Sequence, residues 1–424
     1  MRKLYLFLFV STLASSAFAL TDTTTITKPK LDFGGFFRVE YWYDTRQNVE
    51  AIDGLFLLYP KAPMADANGE DILAAPGFNS LAMATRLRTS ITMPNIFGAK
   101  STILVEADFT GLSSNVHFRF RHALATLNWG KTKLMAGQTW HPMFVTDVYP
   151  YLVGLSTGAP FQSFNRSPQL TLTHEITPGL FGTISAIHQS DYKSFGPDPE
   201  TPGKAIASSS FLRNSTIPNL FAQLQVKSSS VTAGLAADFK SLRPRLFTVS
   251  PADGTSKYVT SERINTLSGM AYLKVQADML TIRTKVMYGQ NLADHLMLGG
   301  YGVATVDAQT GAETYTSLRH LFAFANVTYG KDFQVGLFGG YAKNLGAQDN
   351  VVATTSIYGR GADIDYMFRV APNIMYRKNQ YLFAFEVEYT AAAYGAIDIA
   401  NKAKVINSDL VGNTRFLFAL QYDF

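Results

Sequence analysis

The end of the chain constrains the fold most. Phe416, Phe418, Leu420, Tyr422 and the terminal Phe424 fall on one side of a period-two pattern, with Arg415, Ala419, Gln421 and Asp423 on the other. Strict alternation marks a β-strand with two unlike faces. The pattern repeats upstream. Tyr381, Phe383, Phe385, Val387 and Tyr389 alternate with Glu386 and Glu388, and Tyr366, Phe368, Val370, Ile374 and Tyr376 stand opposite Asp363, Asp365 and Arg369. Hydrophobic residues make up 47% of the 424, yet no stretch beyond the N-terminus runs to eighteen uninterrupted apolar residues. No helix is therefore expected to span a bilayer. In lipid, a sheet satisfies its backbone only by closing on itself. The expectation is an all-β transmembrane antiparallel barrel.

The N-terminus supplies the export signal. Arg2 and Lys3 lead an apolar run over residues 4–10, and Ala17-Phe18-Ala19 is a small-residue cleavage pattern, so residues 1–19 read as a signal peptide. Residues 20–30 are then a short periplasmic segment and residues 31–424 the barrel. Loss of Arg2 and Lys3 lowers the net charge from +5 to +3, too balanced for a nucleic-acid partner. The absence of cysteine excludes a disulfide framework, a thiolate metal site and a lipidated N-terminal cysteine. An aromatic-X-Phe end resembles the assembly signal of bacterial outer-membrane barrels. It places the chain in the outer membrane of a diderm bacterium.

Turn chemistry sets the strand count. Tight turns fall at residues 94–98, 130–131, 177–179, 228–230, 277–278, 330–332 and 377–379. Longer, Gly-, Pro- and Asp-rich connections fall near 45–80, 110–115, 140–164, 192–215, 242–261, 291–315, 345–357 and 392–408. Short and long alternate, as do periplasmic turns and external loops in such barrels. Eight loops and seven turns give about sixteen strands, with both termini periplasmic. A barrel of this size encloses an aqueous channel.

One connection is unlike the rest. Residues 137–169, GQTWHPMFVTDVYPYLVGLSTGAPFQSFNRSPQ, contain Pro142, Pro150, Pro160 and Pro168 among many aromatics. Proline removes ladder donors, so the stretch is not a regular strand. It is also too apolar for a solvated loop. Residues 140–164 are expected to fold into the lumen and narrow it, with Phe144, Tyr149, Tyr151 and Phe161 packing the loop rather than binding sugar.

Charged residues in the strands fix the inward face. Arg38, Arg86, Arg88, Arg119 and Arg121 alternate with apolar or small residues, and an arginine on the lipid face costs about 2–4 kcal/mol at the midplane. They should face the lumen together with Glu40, Glu106 and Asp108, either as a bracing network or as an anion track. The expected constriction comprises Arg38, Arg86, Arg88, Arg119, Arg121, Glu106, Asp108, Trp140, His141, Asp147 and Arg166. Arg283 and Lys285 add positive charge, while Asp363, Asp365, Glu386 and Glu388 form an acidic strip. Opposed strips in a narrow pore set up a transverse field. Seven histidines occur without a hydrolase or nucleotide motif. His122 and His174 fall on outward faces in this register, where a lipid-facing hydrolase would need them. No enzyme, cofactor or metal is expected, and residues 66–71 read as a solvated acidic loop rather than a calcium site.

The block from residue 80 to 176 resembles the DcaP-like porins. The resemblance lies in Arg86 and Arg88, then Glu106, Asp108 and Phe109, then Arg119 and Arg121, then Gly137, Gln138 and Trp140, and finally Arg166, Pro168 and Gln169. It implies a sixteen-stranded homotrimeric channel for small, often negatively charged organic solutes such as dicarboxylates. An N-terminal coiled coil, carried by some members, has no heptads here. The expected function is passive diffusion of small hydrophilic solutes across an outer membrane with weak anion preference. The alternative is a surface barrel whose external loops bind a partner or host and which has no significant pore.

Overall fold

The structure is a computed structural model that describes residues 28–110, 118–201 and 203–424. The expected signal peptide, most of the short segment expected after it and most of the long connection expected at residues 110–115 lie outside these residues. No helix among them is long and apolar enough to cross a membrane.

Sixteen antiparallel strands close into a barrel. They are β1 (Lys30–Asp44), β2 (Arg86–Ile96), β3 (Ala99–Asp108), β4 (Arg119–Asn128), β5 (Thr132–Trp140), β6 (Arg166–Thr177), β7 (Leu180–Ile187) and β8 (Asn219–Lys227). Then follow β9 (Val231–Leu242), β10 (Ile264–Ala277), β11 (Leu280–Gln290), β12 (Glu313–Gly330), β13 (Phe333–Ala347), β14 (Ile364–Lys378), β15 (Tyr381–Asp398) and β16 (Lys404–Asp423). Each pairs with its sequence neighbours, and β1 closes on β16 in the register Arg38↔Gln421 and Tyr41↔Phe418. The terminal residue completes the seam, where Phe424 and Gly35 exchange backbone hydrogen bonds. Closure leaves no open edge in lipid.

Alternation sorts the side chains as expected along most strands. On β16, Leu417, Ala419 and Gln421 are buried, while Phe416, Phe418 and Tyr422 are exposed to the membrane side. Two departures are instructive. The last long connection is only residues 399–403, because Ala391, Ala392 and Ala393 continue β15 in register with Leu410–Gly412 instead of forming loop. Small side chains carry little alternation signal, and the ladder bonds extend the strand regardless. Second, β4 has a bulge opposite Glu106 and Ala107. A bulge sets two residues against one and turns consecutive side chains to the same face. Arg121 and His122 are therefore both buried inside, so the outward placement of His122 is corrected.

Three segments fill the loop side of the lumen. The expected one is the connection between β5 and β6. A hairpin from the first loop (Asn48–Ala51 with Phe56–Pro60) also turns inward, burying Phe56, Leu57, Leu58 and Tyr59. The third is residues 291–298, with Leu292, Leu296, Met297 and Leu298 buried. Each buried apolar side chain of this size stabilises by roughly 1.5–3 kcal/mol, so all three inserts have reason to stay. The sequence pointed only to the first.

Candidate functional site

The inserted loop is pinned by its own aromatics. Trp140 leaves β5 and stacks on Phe144 at 4.0 Å, and Phe164 meets Trp140 edge-on at 4.9 Å. Phe164 also touches Phe56 of the first-loop hairpin, at 4.8 Å. Phe161 docks where the wall is recessed at Gly340, since a Cβ there would collide with the Phe161 ring. Gly137 plays a related part before the loop. Its φ is +131°, and a Cβ would strike the Ala123 carbonyl, so β4 and β5 approach only because the position is glycine.

Charged side chains on the later strands clamp the loop. Lys285 on β11 donates to the carbonyls of Met143 and Phe144 at 2.9 and 3.0 Å and to Gln162 Oε1 at 2.9 Å. Glu386 on β15 accepts from the Val153 and Gly154 amides, both at 3.0 Å, and from Asn373. Arg369 on β14 reaches the Ala159 and Leu57 carbonyls and pairs with Glu388 at 3.3 Å. Arg415 pairs with Asp44 and donates to the Gly54 carbonyl, holding the hairpin. A proline-broken loop leaves many amides and carbonyls unpaired. Buried backbone groups need partners, and these charges supply them. The acidic strip expected along the later wall is thus largely a clamp. Asp365 is taken up by Lys343 at 2.7 Å, and Asp363 is exposed.

A cavity of about 610 Å³ remains between the loop and the early wall. Arg38, Arg86, Arg88, Arg121 and Arg377 line it against a single carboxylate, Glu106, and Trp140, Tyr149 and Tyr151 give it an aromatic side. The arginines are not equivalent. Arg38 is spent on Glu40 at 2.5 Å, Gln421 and the Val153 carbonyl. Arg121 is held by Glu106 at 2.8 Å and Asp108 at 3.1 Å, and Arg119 by the same Asp108 at 3.0 Å. Arg377 pairs with Asp423. Arg86 and Arg88 have no ion-pair partner among the described residues. Arg86 lies over the Phe36 ring at 4.9 Å, and its Nε is buried without an acceptor. Arg88 is exposed to the lumen.

The other candidates are dispersed. Arg166 is buried, lies over Trp140 at 4.8 Å and pairs with Asp191 at 2.7 Å, bracing the root of the loop. His141 points away from the cavity toward Asn219 and Asp238 on the far wall. Asp147 pairs with Lys227 at 2.8 Å near the turn side. His174 stays on the outer face, bonded to Thr132. Ser163 and His295 meet at 2.6 Å, but both are buried, and the contact fastens one insert to another. In the first loop Asp66 accepts from the amides of Asn68 and Glu70, and Asp71 pairs with Arg46.

The chain has the fold of the outer-membrane porins. It is similar to the outer membrane channel DcaP of Acinetobacter baumannii, with a TM-score of 0.65 and 15% identity over 94% of this chain and 99% of that one. A second porin fold is the anion-selective porin from Comamonas acidovorans, with a TM-score of 0.56, 8% identity and coverage of 94% and 100%. OmpT of Vibrio cholerae also superposes, with a TM-score of 0.53, 11% identity and coverage of 95% and 100%. No family model and no curated protein sequence matches the chain. The porin likeness expected from the arginine-bearing block therefore extends, as a fold, over nearly the whole chain.

Proposed function

We propose that the chain is an outer-membrane channel through which small hydrophilic solutes diffuse passively, with weak preference for anions, organic anions such as dicarboxylates among them. The observation that carries the reading is the pair Arg86 and Arg88, two guanidinium groups left without carboxylate partners on the wall of the cavity beside the inserted loop. Unpaired charge in a low-dielectric constriction attracts counter-ions and repels co-ions. Paired charge largely cancels at the distance of a passing solute, so Arg38, Arg119 and Arg121 count for less. Glu106 and the remaining ion pairs keep the preference weak. The porin fold, one relative of which is described as anion-selective, supports the same direction. Both termini would be periplasmic, and no covalent chemistry is involved. The assembly proposed is a homotrimer, by analogy with the DcaP-like porins and with a Vibrio cholerae OmpT of the same fold described in trimer form.

Liposome swelling tests this. Vesicles carrying the protein should swell faster in a small dicarboxylate than in a neutral sugar of similar size. Vesicles that swell in neither would refute the channel.

A further inference from the structure

The inserts that fill the lumen are fastened to one another as well as to the wall. Between the inserted loop and residues 291–298, the fastening is a run of three consecutive residues. Ser163 Oγ lies 2.6 Å from His295 Nδ1. The Phe164 amide donates to the His295 carbonyl at 3.0 Å, and Asn165 Nδ2 donates to the Asp294 carbonyl at 2.7 Å. The His295 ring also meets the His141 ring edge-on at 4.6 Å. Two backbone carbonyls and two imidazoles thus join the two inserts, and only the imidazoles can change charge near neutral pH.

The two histidines are not placed alike. His141 Nε2 faces Asp238 of β9 at 3.7 Å, and that carboxylate otherwise accepts only from Asn219, at 2.6 Å. A proton arriving at His141 therefore meets an acid that can answer it. His295 has no such acid left free. Its neighbour Asp294 already accepts from Lys240 of β9 at 2.5 Å and from Gln189 at 2.8 Å, and its Oδ2 stands 4.0 Å from His295 Nε2. Burial first, then the charges of Lys240 and of Lys285 on β11, hold the His295 imidazole well below its ordinary value. A histidine kept neutral while docked, and free to charge once released, weakens docking as the pH falls. The contact is at full strength above the ordinary histidine value, near 6.5. Each pH unit below about 6.5 then favours release about tenfold for one such group.

We infer that the contact of His295 with Ser163 and His141 is an acid-sensitive latch, which holds residues 291–298 against the inserted loop at neutral pH and loosens progressively in acid. The inference deepens the channel reading and rests on it, as regulation of the same lumen. Leu292, Leu296, Met297 and Leu298, all buried here, come away with the latch. The lumen then loses one of its fixed fillings, and the open channel flickers between levels in acid.

Hydrogen exchange of the full-length protein in bilayers, corrected for the intrinsic pH dependence of exchange, reads the latch directly. Protection of the amides in residues 291–298 should fall about a hundredfold between pH 6.5 and 4.5, while protection along β14–β16 holds. Unchanged protection of residues 291–298 would overturn the inference. His295→Asn retains a side chain that can pair with Ser163 but takes up no proton, so it should remove most of the fall. A fall as large as that of the wild type, in a variant equally protected at pH 7.5, would also overturn it. His141→Asn should leave most of the fall in place, and its loss there would contradict the role given to His295. Single-channel records at the two pH values separate the two claims. A silent membrane with acid-sensitive protection would refute the channel and leave the latch standing, whereas a steady channel with unchanged protection would refute the latch alone.

Discussion

Lys285 and Arg86 face the same lumen from different walls, and their surroundings are opposite. Lys285 is enclosed and gives its protons to three oxygens of the inserted loop. Arg86 rests on a phenyl ring with one nitrogen unpartnered. The later wall, with Glu386, Arg369 and Arg415, holds backbone in place. The early wall pairs most of its arginines with Glu40, Glu106 and Asp108 and leaves two free. A lumen charge is therefore functional or structural according to what it touches, and residue type alone does not tell which.

The largest expected effect comes from cutting the clamp. Glu386→Ala deprives two buried amides of their acceptor, at about 1–3 kcal/mol for each. The loop should detach while the barrel stays closed, and single-channel conductance should rise several-fold. Unchanged conductance would mean that the loop is not held from that wall. Next comes the free pair. Arg86→Glu with Arg88→Glu should move the reversal potential in a KCl gradient from anion toward cation preference. Reversal of charge at Arg119 and Arg121 should move it less, because those groups already answer Asp108 and Glu106. An equal or larger shift from the second pair would break the distinction between spent and free arginines. The smallest effect is expected at Asp147→Asn. That residue and Lys227 are both substantially exposed, and such pairs contribute about 0–1 kcal/mol. Thermal stability and conductance should scarcely change.

Much of this was legible in the sequence, for physical reasons. Alternation along β14–β16 dictates strands and closure, because only one face of each strand can meet lipid. Three prolines, Pro142, Pro150 and Pro160, set among aromatics dictate that residues 140–164 leave the ladder and still seek burial. The hairpin at Asn48–Ala51 and Phe56–Pro60 is harder to read, since its FLLYP run, as apolar as any strand, sits inside a long connection with no charge or turn signal to send it into the lumen. Residues 291–298 give a weaker signal, through Leu292, Leu296, Met297 and Leu298. The inward turn of His122 follows from a bulge, which shifts register by one residue and leaves no compositional trace. Which arginines are free was also hidden. Arg86 and Arg121 alternate in the same way, and only the distance to Glu106 and Asp108 separates them.

The most direct test is the reversal potential of the wild-type protein in a planar bilayer under a KCl gradient. The account predicts stepwise openings and a potential displaced toward the chloride equilibrium value. A displacement toward potassium, or a membrane that stays silent with folded protein inserted, would contradict it.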